Sequence, residues 1–307
     1  MSDTHNTALL LCFEEDRASA QRIATAAALD LSVMERHRFP DGELKLRLPP
    51  VLPTRVVILR SLDYPNEKLI ELLLVARTAR TLGAHHVTLV APYLAYMRQD
   101  IAFQPGEVVS QRVVGSFLAD LFDAVITVDP HLHRVATLQE AVPVPQAIVL
   151  SGAPLLADLI AAHHQPSSQR PLLVGPDEES AQWLAQAAAS HGFEFGVCRK
   201  IRNGDRDVHT TLPDLNVTGR SVVLLDDIAS SGHTLAGAAR LLLAAGATSV
   251  DVAVTHALFA GDALQVIKRA GVGQVWSTDC IAHPTNSVSM APAIATALSV
   301  TLSSKAT

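Results

Sequence analysis

Short apolar runs recur along the chain at residues 56–59, 87–91, 125–128, 172–174, 222–225 and 250–254. Each reads as a strand that is apolar on both faces, the pattern of a covered parallel sheet. Segments of helical period lie between them. Leu69, Leu72, Leu73 and Ala76 share one helix face, and Leu235, Ala238, Ala239 and Leu242 recur at i, i+3, i+4 and i+7 on another. Strands alternating with helices predict parallel sheets with right-handed crossovers and ligands at the carboxyl ends of the strands. Both halves show the same rhythm, so the pattern predicts a duplicated α/β domain, although direct sequence repetition is not visible. Val142-Pro143-Val144-Pro145 reads as the connection, which gives domains at 1–148 and 149–307. Pro166-Ser167-Ser168-Gln169-Arg170-Pro171 reads as an exposed loop, and residues 301–307 as a frayed tail.

Composition narrows the class. The 307 residues suffice for one large or two medium domains. Hydrophobic residues make up 49% and aromatics only 4%, so the core is expected to be built of Ala, Leu and Val. A net charge of −6 without a basic tract argues against a nucleic-acid surface. No apolar run reaches the length of a membrane span, and no leader pattern opens the chain. Cys12, Cys198 and Cys280 lie far apart without zinc or redox spacing, which predicts buried free thiols in a reducing compartment and a cytoplasmic location. In that setting the Asn216-Val217-Thr218 triplet is a chance match to the glycosylation pattern.

The most informative segment runs from Val222 to Leu235. An apolar run ends in Asp226-Asp227, the short loop Ser230-Ser231-Gly232-His233-Thr234 follows, and then the second helical stripe begins. A strand end is thereby joined to a helix start, where backbone N–H groups and the helix dipole favour an anion. Gly232 allows a phosphate to approach the backbone, and Ser230, Ser231 and Thr234 add hydroxyl donors. Asp226 and Asp227 would repel a phosphate but accept hydrogen bonds from neighbouring sugar hydroxyls, so the pattern describes a ribose-5-phosphate site. The plain alternative is an ordinary strand–turn–helix with a capping serine, which leaves two carboxylates at a buried strand end unexplained.

Other strand ends are also polar. Residues 87–91 lead into Pro92-Tyr93, residues 125–128 into Asp129-Pro130-His131, and residues 172–174 into Gly175-Pro176-Asp177. Arg98 and Gln99 offer a guanidinium fork and an amide for triphosphate oxygens, with a surface ion pair as the alternative for Arg98. Asp129, His131 and His133 invite a zinc reading, but no further ligand cluster accompanies them. Gly-Lys, the core of a Walker A loop, is absent, and Gly271-Val272-Gly273 lacks a third glycine.

The Asp226–Thr234 segment resembles the PRPP-binding motif of type I phosphoribosyltransferases, with Ser231 at the first Thr and His233 at the second Gly of the usual Thr-Gly-Gly-Thr loop. Four further motifs extend the resemblance, in order, from about Leu10 to about Leu298. They are Arg38-Phe39-Pro40-Asp41-Gly42-Glu43, the run from Pro92-Tyr93 through Tyr96 to Arg98-Gln99-Asp100, Asp129-Pro130-His131, and Thr255-His256-Ala257-Leu258-Phe259. Together they resemble the ribose-phosphate diphosphokinase (PRPP synthetase) family. That likeness implies two tandem phosphoribosyltransferase-like α/β domains, each a mainly parallel sheet flanked by helices. It implies transfer of pyrophosphate from ATP to O1 of ribose 5-phosphate.

The resemblance further implies that Phe39, Asp41, Glu43, Arg98, Gln99 and Asp100 bind ATP, with the first three reaching a neighbouring subunit's adenine pocket. A homodimer or larger homo-oligomer follows, with the triphosphate between the halves. Asp226, Asp227, Ser230, Ser231, Gly232, His233 and Thr234 would bind ribose 5-phosphate. Lys200 and Arg202, ahead of the polar stretch Asn203-Gly204-Asp205-Arg206-Asp207, resemble a catalytic loop that supplies cations to the transition state. His131 is implied in catalysis and, with Asp177, as a Mg²⁺ ligand; a sparse protein ligand set suits Mg²⁺. Two features depart from the family. Glu178 and Glu179 stand where a glycine pair is usual, so they are expected to point outward or to occupy a helix's first turn. Residues 101–110 are nearly uncharged where phosphate-activated bacterial forms are basic, which resembles the archaeal-type variant and argues against an activating phosphate site there. Two rivals remain: a phosphoribosyltransferase that consumes PRPP, which needs neither the Arg98-Gln99 half nor Lys200 and Arg202, and a non-catalytic regulatory homologue, which would be expected to lose catalytic residues.

Overall fold

The computed structural model describes residues 8–132, 134–164, 170–202 and 208–303. The chain forms two compact units, one built from Met1–Leu150 with Met290–Thr307 and the other from Ser151–Ser289. The first unit contains β1 (Ala8–Cys12), α1 (Arg17–Ala27), β2 (Asp30–Val33), β3 (Glu35–Arg38), β4 (Leu44–Arg47), β5 (Arg55–Leu59), α2 (Pro65–Thr81), β6 (His86–Val90), α3 (Ser110–Ala119), β7 (Ala124–Val128), α4 (Leu138–Ala141) and β8 (Gln146–Leu150). Six strands form one parallel sheet in the order β2-β1-β5-β6-β7-β8. β3 and β4 form a separate antiparallel hairpin.

The second unit contains α5 (Ala153–His163), β9 (Leu172–Gly175), α6 (Ala181–His191), β10 (Phe195–Val197), β11 (Arg199–Arg202), β12 (Val208–Thr211), β13 (Ser221–Ala229), α7 (His233–Ala244), β14 (Ser249–Ala257), α8 (Ala263–Arg269), β15 (Val275–Thr278) and β16 (Asn286–Val288). Its parallel sheet has the order β10-β9-β13-β14-β15-β16, and β11 and β12 form a hairpin outside it. With the hairpins set aside, both sheets follow the same order: second strand, first strand, then third to sixth. In both units the hairpin is inserted between the second and third strands. This shared topology is the duplication that the rhythm of apolar runs predicts. In each sheet the order reverses between the first and third strands, the switch point where open α/β sheets bind ligands.

All six predicted strands are present. The middle strands are apolar because helices cover both faces: Val56–Leu59 of β5, Val87–Val90 of β6 and all of β7 are buried, Thr88 and Thr127 included. In α2 the buried stripe is Leu72, Val75, Ala76 and Ala79, while Leu69 and Leu73 are half-buried flanks. In α7 the predicted Leu235, Ala238, Ala239 and Leu242 are all buried.

Two boundary expectations are corrected. Val142 and Val144 are buried in the first unit's core, and β8 after them is that unit's sixth strand. The 142–145 segment is therefore internal to the first unit, and the chain leaves it after Leu150. The chain also returns: α9 (Ala291–Ser303) packs on α1, and Arg55 Nη1 donates to Thr301 O at 3.3 Å. The expected 149–307 domain thus ends near Ser289, because the apolar face of α9 is covered by the first unit. The exposed loop expected at 166–171 falls largely on residues 165–169, and the frayed tail largely on residues 304–307; both stretches lie outside the described residues.

Gly115 shows how tightly the first unit is packed. A Cβ there would sit 1.8 Å from Ala141 O, so α3 crosses α4 only because the side chain is absent. Gly115→Ala is expected to cost about 1–3 kcal/mol by overpacking. Thermal unfolding should show a lower Tm, and an unchanged Tm would contradict the close crossing.

Candidate functional site

The second unit's switch point lies between β9 and β13. β9 pairs with β13 only over Val222–Leu224. Beyond that pairing β9 leaves the sheet through Pro176 and Asp177, while β13 continues beside β14, with Asp226 opposite Val254 and Ile228 opposite His256. The strand is therefore longer than the predicted 222–225, and Asp226 and Asp227 lie within its last turn of pairing rather than after it. Asp227 is buried and Asp226 half-buried. The Asp227 N–H donates to Asp226 Oδ1 at 3.1 Å.

The Asp226 carboxylate is costly to ionise here. Burial pushes the Asp226 carboxyl well above the usual range, with the charges of Asp227 and then Asp177 adding to it. Burial, followed by Asp177, lifts the Cys198 thiol to about 11. Asp177 thus shares a field with Asp226, although it is distant in sequence. Among the described residues no group of three His, Cys, Asp or Glu is arranged to hold a metal by itself. Convergent carboxylates without a complete cage suit a cation that takes its remaining ligands from substrate and water, as Mg²⁺ does.

After Ala229 the chain turns through Ser230, Ser231 and Gly232 into α7. Gly232 has φ +76°, and a Cβ on it would sit 2.9 Å from Ala263 O and 3.0 Å from Ile267. Its lack of a side chain therefore serves the close approach of α8 as well as the backbone turn. The loop is also held from behind, since Phe259 N donates to Ala229 O at 2.9 Å and Ala260 N to Ser230 O at 3.0 Å. Phe259 has φ +36°, and its ring meets that of His283 at a tilt of 41° with centroids 4.8 Å apart. Gly232 provides no side-chain cap to α7, while Ser231, His233 and Thr234 are exposed and Ser230 is half-buried. The N–H groups of the first turn are accordingly accessible to an anion.

Glu178 and Glu179 lie in a single 3-10 turn leading into α6, which matches the expected position for acids at a helix start. Glu178 Oε1 pairs with Arg199 Nε of β11 at 3.5 Å. Both glutamates are exposed. Lys200 and Arg202 lie on β11, in register with Thr210 and Val208 of β12, so they belong to a hairpin strand; the polar stretch 203–207 lies outside the described residues.

The remaining predicted residues belong to the first unit. The end of β6 is tied to β7, with Ala91 N donating to Ile126 O at 2.9 Å and Val128 N to Pro92 O at 3.2 Å. This sets Pro92, at the start of the segment that leads to Arg98 and Gln99, beside the carboxyl end of β7. Arg98 and Gln99 are exposed, and Gln99 Oε1 accepts from Ser110 Oγ at 3.2 Å. Asp100 differs from them: it is buried and paired with Arg134 at 2.6 Å, and Arg134 also lies 6.0 Å from the Phe103 ring. Tyr96 and Asp129 both adopt positive φ, +64° and +36°, strain of the kind that clusters at functional sites. His131 is half-buried, whereas His133 lies outside the described residues. Phe39, Asp41 and Glu43 are exposed on the turn between β3 and β4, which is closed by Gly42 N to Phe39 O at 2.9 Å and Glu43 N to Asp41 Oδ1 at 3.2 Å. Sequence reasoning missed the Phe259–Ala260 backing, the Arg134 partner of Asp100 and the Glu178–Arg199 pair. The positive φ of Phe259 leaves no local signal in an aromatic residue, and the two ion pairs join residues distant in sequence.

The raised Asp226 pKa has a consequence for stability. The folded state holds a proton that the unfolded state releases, so stability falls as pH rises from the ordinary carboxylate range through the higher folded value. Asp226→Asn cannot ionise and escapes that loss. Its Tm should exceed the native protein's in mildly alkaline buffer, and the gap should shrink on acidification. A lower Tm for Asp226→Asn throughout would contradict the assignment.

Comparison with known proteins places these observations in a family. Residues 8–121 match the N-terminal domain of ribose phosphate pyrophosphokinase, and residues 150–272 match the phosphoribosyl transferase domain. A ribose-phosphate pyrophosphokinase of Methanopyrus kandleri is 35% identical over 291 residues, covering 94% of this chain and 98% of that protein. One from Halobacterium salinarum is 33% identical, covering 94% of this chain and all of that protein. In fold, the chain matches the crystal structure of phosphoribosylpyrophosphate synthetase from Mycobacterium smegmatis with a TM-score of 0.83, at 24% identity, over 96% of this chain and 99% of that one. The duplicated parallel sheets and the strand-end carboxylates therefore belong to a member of the ribose-phosphate pyrophosphokinase family.

Proposed function

We propose that this chain transfers the β,γ-pyrophosphoryl group of ATP to O1 of ribose 5-phosphate, giving PRPP and AMP. The observation that carries this reading is the second unit's switch point, where Asp226 and Asp227 end a buried strand beside an accessible helix start. There Asp226 and Asp227 accept hydrogen bonds from the ribose hydroxyls, and Ser230, Ser231, Gly232, His233 and Thr234 hold the 5-phosphate. In the first unit Arg98 and Gln99 bind triphosphate oxygens. Asp100, paired with Arg134, steadies the same segment. Phe39, Asp41 and Glu43 offer a ring and two carboxylates to the adenosine part of ATP. Their exposure on a hairpin turn supports delivery to a neighbouring subunit, and hence a homo-oligomer.

In the reaction, the O1 hydroxyl attacks the β-phosphorus, the bond from that phosphorus to the α,β-bridging oxygen breaks, and AMP leaves. Placement and charge neutralisation dominate such a transfer. Lys200 and Arg202 supply cationic side chains for the charge that spreads over the phosphoryl oxygens. Asp177 of the second unit and His131 of the first are each candidate Mg²⁺ ligands alongside substrate oxygens, and a bound Mg²⁺ would neutralise phosphate charge. No helix among the described residues is long and apolar enough to cross a membrane. Three buried free cysteines and phosphorylated substrates support a cytoplasmic location.

Product analysis tests the reading: ATP, Mg²⁺ and ribose 5-phosphate should yield PRPP and AMP in equal amounts. Formation of a nucleotide from PRPP and a free base, without AMP formation from ATP, would instead indicate a PRPP-consuming transferase. Lys200→Ala and Arg202→Ala should lower kcat by about two orders of magnitude or more, with little change in either KM, as expected for contacts made only in the transition state. A pure KM effect would contradict their role.

A further inference from the structure

The duplication poses a question at the first unit's own switch point. Its counterpart of the β9–β13 crevice lies between β1 and β5, where Phe13–Asp16 follow one strand and Arg60 follows the other. That crevice holds a closed ion network. Arg60 is fully buried, and its guanidinium reaches Asp16 at 2.7 Å, Glu71 at 2.5 Å and Glu15 at 2.9 Å. Glu71 projects from α2 and is itself fully buried. Arg36, on β3, completes the network with Glu71 at 2.5 Å and Glu15 at 2.9 Å. Both guanidinium groups lie over the Phe13 ring, Arg60 at 4.7 Å and Arg36 at 5.3 Å from its centroid.

The network reaches the β3–β4 hairpin, which has little else to hold it. Every residue of β3 is exposed, and only Leu44 and Leu46 of β4 are half-buried. Arg38, one residue before Phe39, pairs with Glu67 of the same α2. Buried ion pairs of this kind add little stability over apolar side chains of similar size, because desolvation offsets the attraction. They do impose direction, and bidentate guanidinium–carboxylate contacts fix an angle that apolar packing would leave loose.

We propose that the Arg36–Glu71–Arg60–Glu15–Asp16 network is a positioning element: it fills the first unit's switch point and sets the β3–β4 turn so that Phe39, Asp41 and Glu43 meet the nucleotide. This rests on the reading that the turn serves ATP. The first unit thus uses for aim the crevice that the second uses for substrate. Arg36 is the member to change first, since it lies on the hairpin itself and its side chain is 30% exposed, whereas Arg60 and Glu71 are buried.

The test compares Arg36→Met, Arg36→Lys, Glu71→Gln and Phe39→Ala by steady-state kinetics and thermal unfolding. Arg36→Met should raise the KM for ATP by about fivefold or more while the KM for ribose 5-phosphate and kcat stay within about twofold. Arg36→Lys, which keeps the charge but not the fork, should recover part of the loss. Glu71→Gln should show the same selective rise; should it fail to fold, Arg36→Met still decides. Should Phe39→Ala raise the KM for ATP while Arg36→Met leaves it unchanged, the network proposal falls and the reading of the turn stands. An unchanged KM for ATP in Phe39→Ala would overturn the reading of the turn, and the proposal with it. A fall in kcat alone in folded Arg36→Met would also overturn the positioning role.

Discussion

Two carboxylates side by side near the end of a buried parallel strand are costly, and much of the second unit is arranged around that cost. Asp226 and Asp227 remain on β13 because the neighbouring strand β9 ends early and opens the sheet at their level. Asp177 adds a third charge to the same field and raises the Asp226 pKa further. Such repulsion is relieved by protonation, by a cation, or by donors from a ligand. The loop beyond is fixed without those charges: Gly232 fits against α8, and Phe259 and Ala260 hold Ala229 and Ser230 from behind. The result is a braced helix start beside two carboxylates, the arrangement that the proposed sugar-phosphate site requires.

The duplicated topology explains why the chemistry is spread along the chain. Each unit has a six-stranded parallel sheet in the same order and inserts a hairpin between its second and third strands. One hairpin carries Phe39, Asp41 and Glu43 on its turn, and the other carries Lys200 and Arg202 on a strand. The switch points have diverged. In the second unit the crevice opens beside a helix start, whereas in the first it is closed by Arg60 and its acidic partners. A repeated scaffold can in this way carry two hairpins with different polar residues.

Much of this was legible in the sequence because parallel strands covered on both faces leave continuous apolar runs. β5, β6, β7, β9, β13 and β14 are the strands those runs predict. Edge strands such as β2 and β16 are half-exposed and leave no such run. The connection was misplaced because Val142-Pro143-Val144-Pro145 looks like a linker in composition, although Val142 and Val144 are core residues and the chain leaves the first unit only after Leu150. The return of α9 to the first unit is a tertiary fact with no local sign, since an apolar helix does not name its partner. At the candidate site, the acids, hydroxyls and glycine of residues 226–234 were readable from spacing. The Arg60 network was not, because Glu15, Arg36, Arg60 and Glu71 lie in four separate stretches of the chain and each alone reads as a surface charge.

The most direct test of the account is the affinity for ribose 5-phosphate, measured by calorimetry on the native protein and on Asp226→Asn and Asp227→Asn. Loss of a charge-assisted acceptor should weaken binding by roughly 1.5–3 kcal/mol, on the order of tenfold to a hundredfold in Kd, and leave the affinity for ATP within about twofold. An unchanged ribose 5-phosphate affinity in both variants would contradict the assignment of the strand-end carboxylates to the sugar.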